Sequence, residues 1–104
     1  MQFVIGWLHL KPGKREEFMT MARAHDDATR NEDGCLFYEF HPSATDPDVL
    51  VLIEGWKSPQ HHQAHNQAPH HLAFGKDVGR FAISGRFEEI EAARVVTQRP
   101  QFGN

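Results

Sequence analysis

Apolar and polar positions alternate from the start of the chain. Phe3, Ile5, Trp7 and His9 fall on one face of an extended segment over residues 2–10, and Val4, Gly6, Leu8 and Leu10 on the other. Both faces are largely apolar, so this strand is expected to be covered on both sides. Pro12-Gly13 marks a turn. The period then changes to 3.6, and Phe18, Met21, Ala22, His25 and Ala28 form one stripe of a helix over Lys14–Asn31. Gly34 fits the cap at its end. Alternation returns over Cys35–His41, where Cys35, Phe37, Glu39 and His41 oppose Leu36, Tyr38 and Phe40. Residues 43–48 have turn composition and read as a hairpin loop.

The next stretch organises the rest. Val49 to Ile53 is a continuous apolar run, which predicts a strand buried on both faces, and Glu54 and Trp56 continue it on a shared face. Ser58-Pro59 ends the strand and opens a helix, with Ser58 as N-cap and Pro59 at the first helical position. That helix carries His61, His62 and His65 and is cut short by Pro69. A second piece over residues 70–78 offers Leu72, Phe74 and Val78 as apolar contacts. A last strand over Phe81–Ile90 sets Ile83 and Phe87 against Ser84, Arg86 and Glu88. Residues 1–96 form one domain, and the aperiodic tail, 97–104, is expected to be flexible.

The order β-α-β-β-α-β predicts an α+β, ferredoxin-like fold, with a four-stranded antiparallel sheet and the helices on one of its faces. Helices on one face leave the other, also apolar, without cover. An exposed patch of that size is unusual on a soluble monomer. A homodimer packed through the sheet faces follows as an expectation.

Composition narrows the function. The chain has 104 residues, 39% hydrophobic and 24% charged, with a net charge of −3. No block of Lys and Arg exists to grip phosphates, which argues against nucleic acid as a partner. No apolar run approaches a membrane span of ~20 residues, and the N-terminus lacks a signal-peptide pattern. One cysteine, Cys35, suits a reducing compartment, so a cytoplasmic location is expected. There is no Gly-rich phosphate loop, no CxxC pair and no Gly-x-Ser-x-Gly elbow.

Eight His are present, five of them between His61 and His71. His61 and His65 are spaced i, i+4 on one helical face, a pattern that can hold a metal. No Cys or acidic residue lies nearby in sequence to complete a site, so neither a metal nor a cofactor is expected. Trp56 offers a pocket wall and an indole N–H, or simple core packing. Glu54 offers a hydrogen-bond anchor, or a partner for an Arg such as Arg86. Arg86 can hold a substrate anion, or be solvated. Tyr38 and Phe40 share a face as cavity lining or core, and His9 ends its strand where a cavity mouth would lie.

Several segments together resemble a known family. Lys11-Pro12-Gly13-Lys14-Arg15-Glu16-Glu17-Phe18, Asp33-Gly34-Cys35-Leu36-Phe37-Tyr38-Glu39, Glu54-Gly55-Trp56-Lys57-Ser58 and Ala64-His65 are similar to the antibiotic biosynthesis monooxygenase domain, a dimeric α/β barrel. The resemblance covers about residues 2–92. It implies a cofactor-independent monooxygenase that oxidises a hydroquinone, anthrone or similar aromatic substrate with dioxygen. His65 fills the family's His position and would be the catalytic base. Trp56, Glu54, Arg86, Tyr38, Phe40 and His9 would bind substrate. The superfamily's haem-degrading branch uses an Asn on the first strand and a His about ten residues beyond the second-helix position. This chain has no Asn there and Gly75 at the latter place. Two other classes remain: a non-catalytic ligand-binding or stress-related dimer, and an isomerase of small carbonyl compounds.

Overall fold

Four strands and three helices follow in the order β1 (Gln2–Leu10), α1 (Arg15–Arg30), β2 (Cys35–Pro42), β3 (Val49–Trp56), α2 (Pro59–Gln67), α3 (Pro69–Phe81) and β4 (Ala82–Glu91). They come from a computed structural model that describes residues 1–103. The strands form one antiparallel sheet in the order β2-β3-β1-β4, the ferredoxin-like α+β fold. The β2–β3 hairpin is closed by Ser43, whose N–H donates to the Val49 carbonyl at 2.9 Å.

Local chemistry accounts for the breaks. Ser58 accepts the His61 N–H on its Oγ at 3.2 Å, and Pro59 stands at the first helical position. Pro69 splits the second helical region into two helices, so α3 is a full helix of 13 residues where the sequence reading allowed a shorter piece. Gly34 does not cap α1. Asn31 holds that position in ordinary helical geometry, and Gly34 sits beyond it at φ +80° in a turn closed by Cys35 N–H to Glu32 C=O. That left-handed backbone favours glycine.

One sheet face packs on the helices. Leu8, Leu10, Tyr38, Phe40, Leu50, Leu52 and Trp56 point there and join Phe18, Ala22 and Phe74 in a single core. Phe18 meets Phe40 edge to face, with ring centroids 5.3 Å apart. The buried stripe of α1 is Phe18, Ala22, His25, Asp26 and Thr29. It departs from the expected one because Ala28 is exposed and Met21 half-buried. On α3, Phe74 is buried but Leu72 is 54% exposed, so only part of the expected apolar face docks.

The opposite sheet face carries Phe3, Ile5, Trp7, Val51 and Ile53, all half-buried within the single chain. The expectation that β1 and β3 are covered on both sides is therefore met on one side by this chain alone. β4 is an edge strand and is exposed along most of its length. Residues 97–103 have no regular structure and are exposed; Asn104, the end of the expected flexible tail, lies outside the described residues. Among the described residues no helix is long and apolar enough to cross a membrane.

Candidate functional site

A cavity of about 340 Å³ lies between the helix-covered sheet face and α2 and α3. Its sheet wall is Val4, Leu8, Tyr38, Phe40 and Leu52, with Glu54 among them. Its helix wall includes His62, Asn66, His71, Phe74 and Val78, and Phe87 and Glu89 of β4 form the remaining side. Gly6 makes room for Phe87: a Cβ there would sit 2.4 Å from that ring. An apolar cavity with a few converging polar groups is the usual form of a small-molecule site.

Glu54 is the polar centre of the sheet wall. It is buried, and the Trp56 indole N–H donates to its Oε1 at 3.0 Å. Burial pushes its carboxyl up to about 7. The Trp56 bond opposes that shift, and the nearby Glu89 and Glu32 carboxylates add to it. His62 stands next to it, with Nε2 3.8 Å from Glu54 Oε1 and Nδ1 3.3 Å from Glu89 Oε1. Burial lowers the His62 pKa, against the pull of Glu89. Burial also raises the Tyr38 hydroxyl well above its ordinary value, reinforced by the Glu54 charge.

Behind the helix wall is a second layer of imidazoles. His65, the expected catalytic base, is 1% exposed and lies outside the residues that line the cavity. Its ring is 4.8 Å from Trp56 and 4.0 Å from His71, centroid to centroid. Its Nδ1 pairs with Glu32 Oε2 at 2.6 Å, and its Nε2 is buried with no hydrogen-bond partner among the described residues. Burial lowers its pKa, and Glu32 works against that. His71, on the wall, is pushed down to about 3 by burial and by the surrounding histidines. His25 of α1 reaches the same layer, with Nε2 3.0 Å from His71 Nδ1 and Nδ1 2.9 Å from Asp26 Oδ1.

The chain thus brings together Glu54, Trp56, Tyr38, Phe40 and His65, and holds Arg86 and His9 apart from them. Arg86 pairs in register with Trp7, on the uncovered sheet face; its guanidinium lies 4.3 Å from the Trp7 ring centroid and its Nε 3.7 Å from Glu88 Oε1. It therefore neither faces the cavity nor reaches Glu54 within one chain. His9 is exposed on that same outer face. The Trp56 N–H is already engaged by Glu54, which leaves the indole as wall and not as a free donor. His61 turns away from His65, toward Ser58 Oγ at 2.6 Å and Asp33 at 3.4 Å. The sequence places His62 and His71 only within the His61–His71 cluster and His25 only on the predicted buried stripe of α1, and nothing in it singles out Glu32.

Comparison with known proteins bears on this arrangement. The family model of antibiotic biosynthesis monooxygenases matches residues 1–77. A Synechocystis protein named only "Uncharacterized protein sll1783" is 30% identical over 71 residues, 68% of this chain, and the match spans about half (48%) of that protein's length. "Putative monooxygenase Rv0793" of Mycobacterium tuberculosis is 35% identical over 69 residues, covering 66% of this chain and 67% of its own. Its solved structure superposes with a TM-score of 0.82 over 92% of this chain and 98% of that one, at 26% identity. A Deinococcus radiodurans structure, described as a putative antibiotic biosynthesis monooxygenase, reaches a TM-score of 0.87 over 96% of this chain and all of its own, at 19% identity, which speaks for the fold alone.

Proposed function

The chain belongs to the antibiotic biosynthesis monooxygenase family, and from that premise we propose that it oxidises an electron-rich aromatic compound with dioxygen in the cavity beneath its sheet. A hydroquinone, an anthrone or a similar polyketide-type phenol is the substrate class. Such compounds need no external reductant. An anthrone CH2 and O2 give a C=O and water; a hydroquinone and O2 give a hydroxyquinone and water. The protein's tasks are to hold the ring in a dry site, to take the first proton and to steady the anion that passes an electron to dioxygen.

The observation that carries this reading is the carboxyl of Glu54, on the cavity wall and pushed up to about 7. A general base works best with a pKa near the operating pH. Glu54 takes the substrate proton and so becomes neutral, His62 stands beside it with Nε2 3.8 Å from Glu54 Oε1, and Tyr38 and Phe40 pack the ring. His65, the base expected from sequence, supports the wall through His71 and Trp56. We place the reaction in the cytosol, in keeping with the single free Cys35. We also propose a homodimer that covers the outer sheet face. The test is oxygen uptake against a panel of hydroquinones and anthrones. Turnover by wild type that Glu54→Gln abolishes supports the assignment; equal background rates for both proteins on every compound reject it. Saturable binding with no product would move the chain to the non-catalytic class.

A further inference from the structure

We propose that His25, His65 and His71 form a three-histidine site for a divalent first-row transition metal, set behind the cavity and open to it at His71. One ring nitrogen from each of these residues lies within 4.8 Å of those of the other two. Tetrahedral ligands at ~2.0–2.1 Å from a metal stand about 3.3 Å from one another, so an inward shift of up to about 1.5 Å closes the set. His25 Nε2 and His71 Nδ1 are already 3.0 Å apart. His71 is half-buried and sits at the cavity surface, where its ring has room to tilt.

Two further observations point to a ligand and not to a plain hydrogen-bonded cluster. The first is the His65 Nε2 atom, fully buried and without a partner among the described residues. Leaving a polar atom so placed is costly, and a metal is the partner that a neutral imidazole nitrogen surrounded by other imidazoles can take. The second is the outer layer. His65 Nδ1 is held by Glu32 at 2.6 Å and His25 Nδ1 by Asp26 at 2.9 Å. A carboxylate on the distal nitrogen fixes the tautomer that turns the Nε2 lone pair inward, the arrangement that orients metal-bound histidines. A rival set, Glu32, His65 and His70, also lies within 4.8 Å. It would use the Glu32 oxygen directly, the atom that lies 2.6 Å from His65 Nδ1 and 3.1 Å from His70 Nε2, and so would take Glu32 out of the pairing that orients His65.

Imidazole ligands select zinc, copper, nickel or iron over calcium and magnesium. Three histidines with a fourth position facing a cavity is the form of an open site. This inference goes beyond the oxygenase reading, since Glu54 and His62 are not ligands and the proton step does not pass through the metal.

The experiment uses untagged full-length protein stripped with a chelator, titrated with Zn(II) by calorimetry and with Co(II) by visible absorption. We expect one equivalent per chain, a d–d spectrum of a low-coordinate cobalt ion, and a raised melting temperature. Glu32→Gln should weaken binding by about 10- to 100-fold while circular dichroism stays native. His71→Asn, at a half-buried position, should abolish the d–d spectrum while circular dichroism stays native, and His70→Asn should leave the d–d spectrum intact. Absence of stoichiometric binding by folded wild type overturns the site, as does binding that survives His71→Asn or is lost with His70→Asn. Oxygen uptake is read separately, so failure here leaves the Glu54 assignment standing, and the reverse.

Discussion

The Trp56 indole N–H donates to Glu54 Oε1 at 3.0 Å, between residues two apart on the same face of β3. This bond fixes one carboxyl oxygen and leaves the carboxyl turned to the cavity, with its pKa raised by burial to about 7. Removing the charge while keeping the shape isolates its role. Glu54→Gln should lower turnover of a responsive hydroquinone or anthrone by about 10²- to 10⁴-fold, the usual worth of a general base. Steady-state oxygen uptake reads the loss, and near-native melting would assign it to chemistry.

The same carboxyl makes stability depend on pH. Its folded pKa, about 7, lies above the ordinary 4.5, so the folded state keeps a proton that the unfolded chain has released. The contribution of Glu54 is fully present below about 4.5 and is lost as pH rises through about 7, at roughly 1.4 kcal/mol per pKa unit. The lowered pKa values of His62 and His71 act in the opposite sense, with stability lost as pH falls. The difference between wild type and Glu54→Gln therefore isolates the term. Urea unfolding at pH 5 and pH 8 should show wild type losing stability relative to the variant at the higher pH. Parallel pH profiles for the two proteins would contradict the burial assigned to this carboxyl.

Phe18 anchors α1 to the sheet. It is fully buried and contacts Phe40, Phe74 and Phe81 with ring centroids 5.3–6.0 Å away. Phe18→Ala should cost about 3–5 kcal/mol through lost burial and the void left behind. A domain of this size has little reserve, so a large fall in melting temperature is expected.

Gly34 is held at φ +80°, and a Cβ there would lie 2.2 Å from the His61 ring. Gly34→Ala combines backbone strain with displacement of His61. We expect a loss of about 1–2 kcal/mol from the backbone alone, with more from the clash. Thermal denaturation of Gly34→Ala beside Gly13→Ala separates the two. Gly13 has a similar φ of +75° and open space around it, so it should suffer only the first effect.

Ile5 and Ile53 pair directly across β1 and β3 on the outer sheet face. Ile53→Lys should place a charge in the proposed dimer interface and give monomers by sedimentation equilibrium at micromolar concentration, where wild type should be dimeric. A monomeric wild type would reject the interface.

The elements were legible in the sequence because their signals are local. Alternation marked the strands, the 3.6 period marked α1, and Ser58-Pro59 and Pro69 punctuated the helices within a few residues of their observed ends. The pairing of Glu54 with Trp56 on one face was also legible, since strand geometry alone determines it. The histidines were not. Spacing joins His61 and His65, yet His61 turns to Ser58 while His62 and His65 are buried. Which side of a short polar helix faces inward depends on how it docks, and α2 has too little apolar bias to announce it. The meeting of His25 with His71, 46 residues apart, depends on α1 lying beside α3, and that of Glu32 with His65, 33 residues apart, on the turn after α1 lying against α2. Local periodicity determined what each segment is; only the packing of helices on the sheet decided which polar groups are buried together, because that choice is made by contacts between residues the sequence holds far apart.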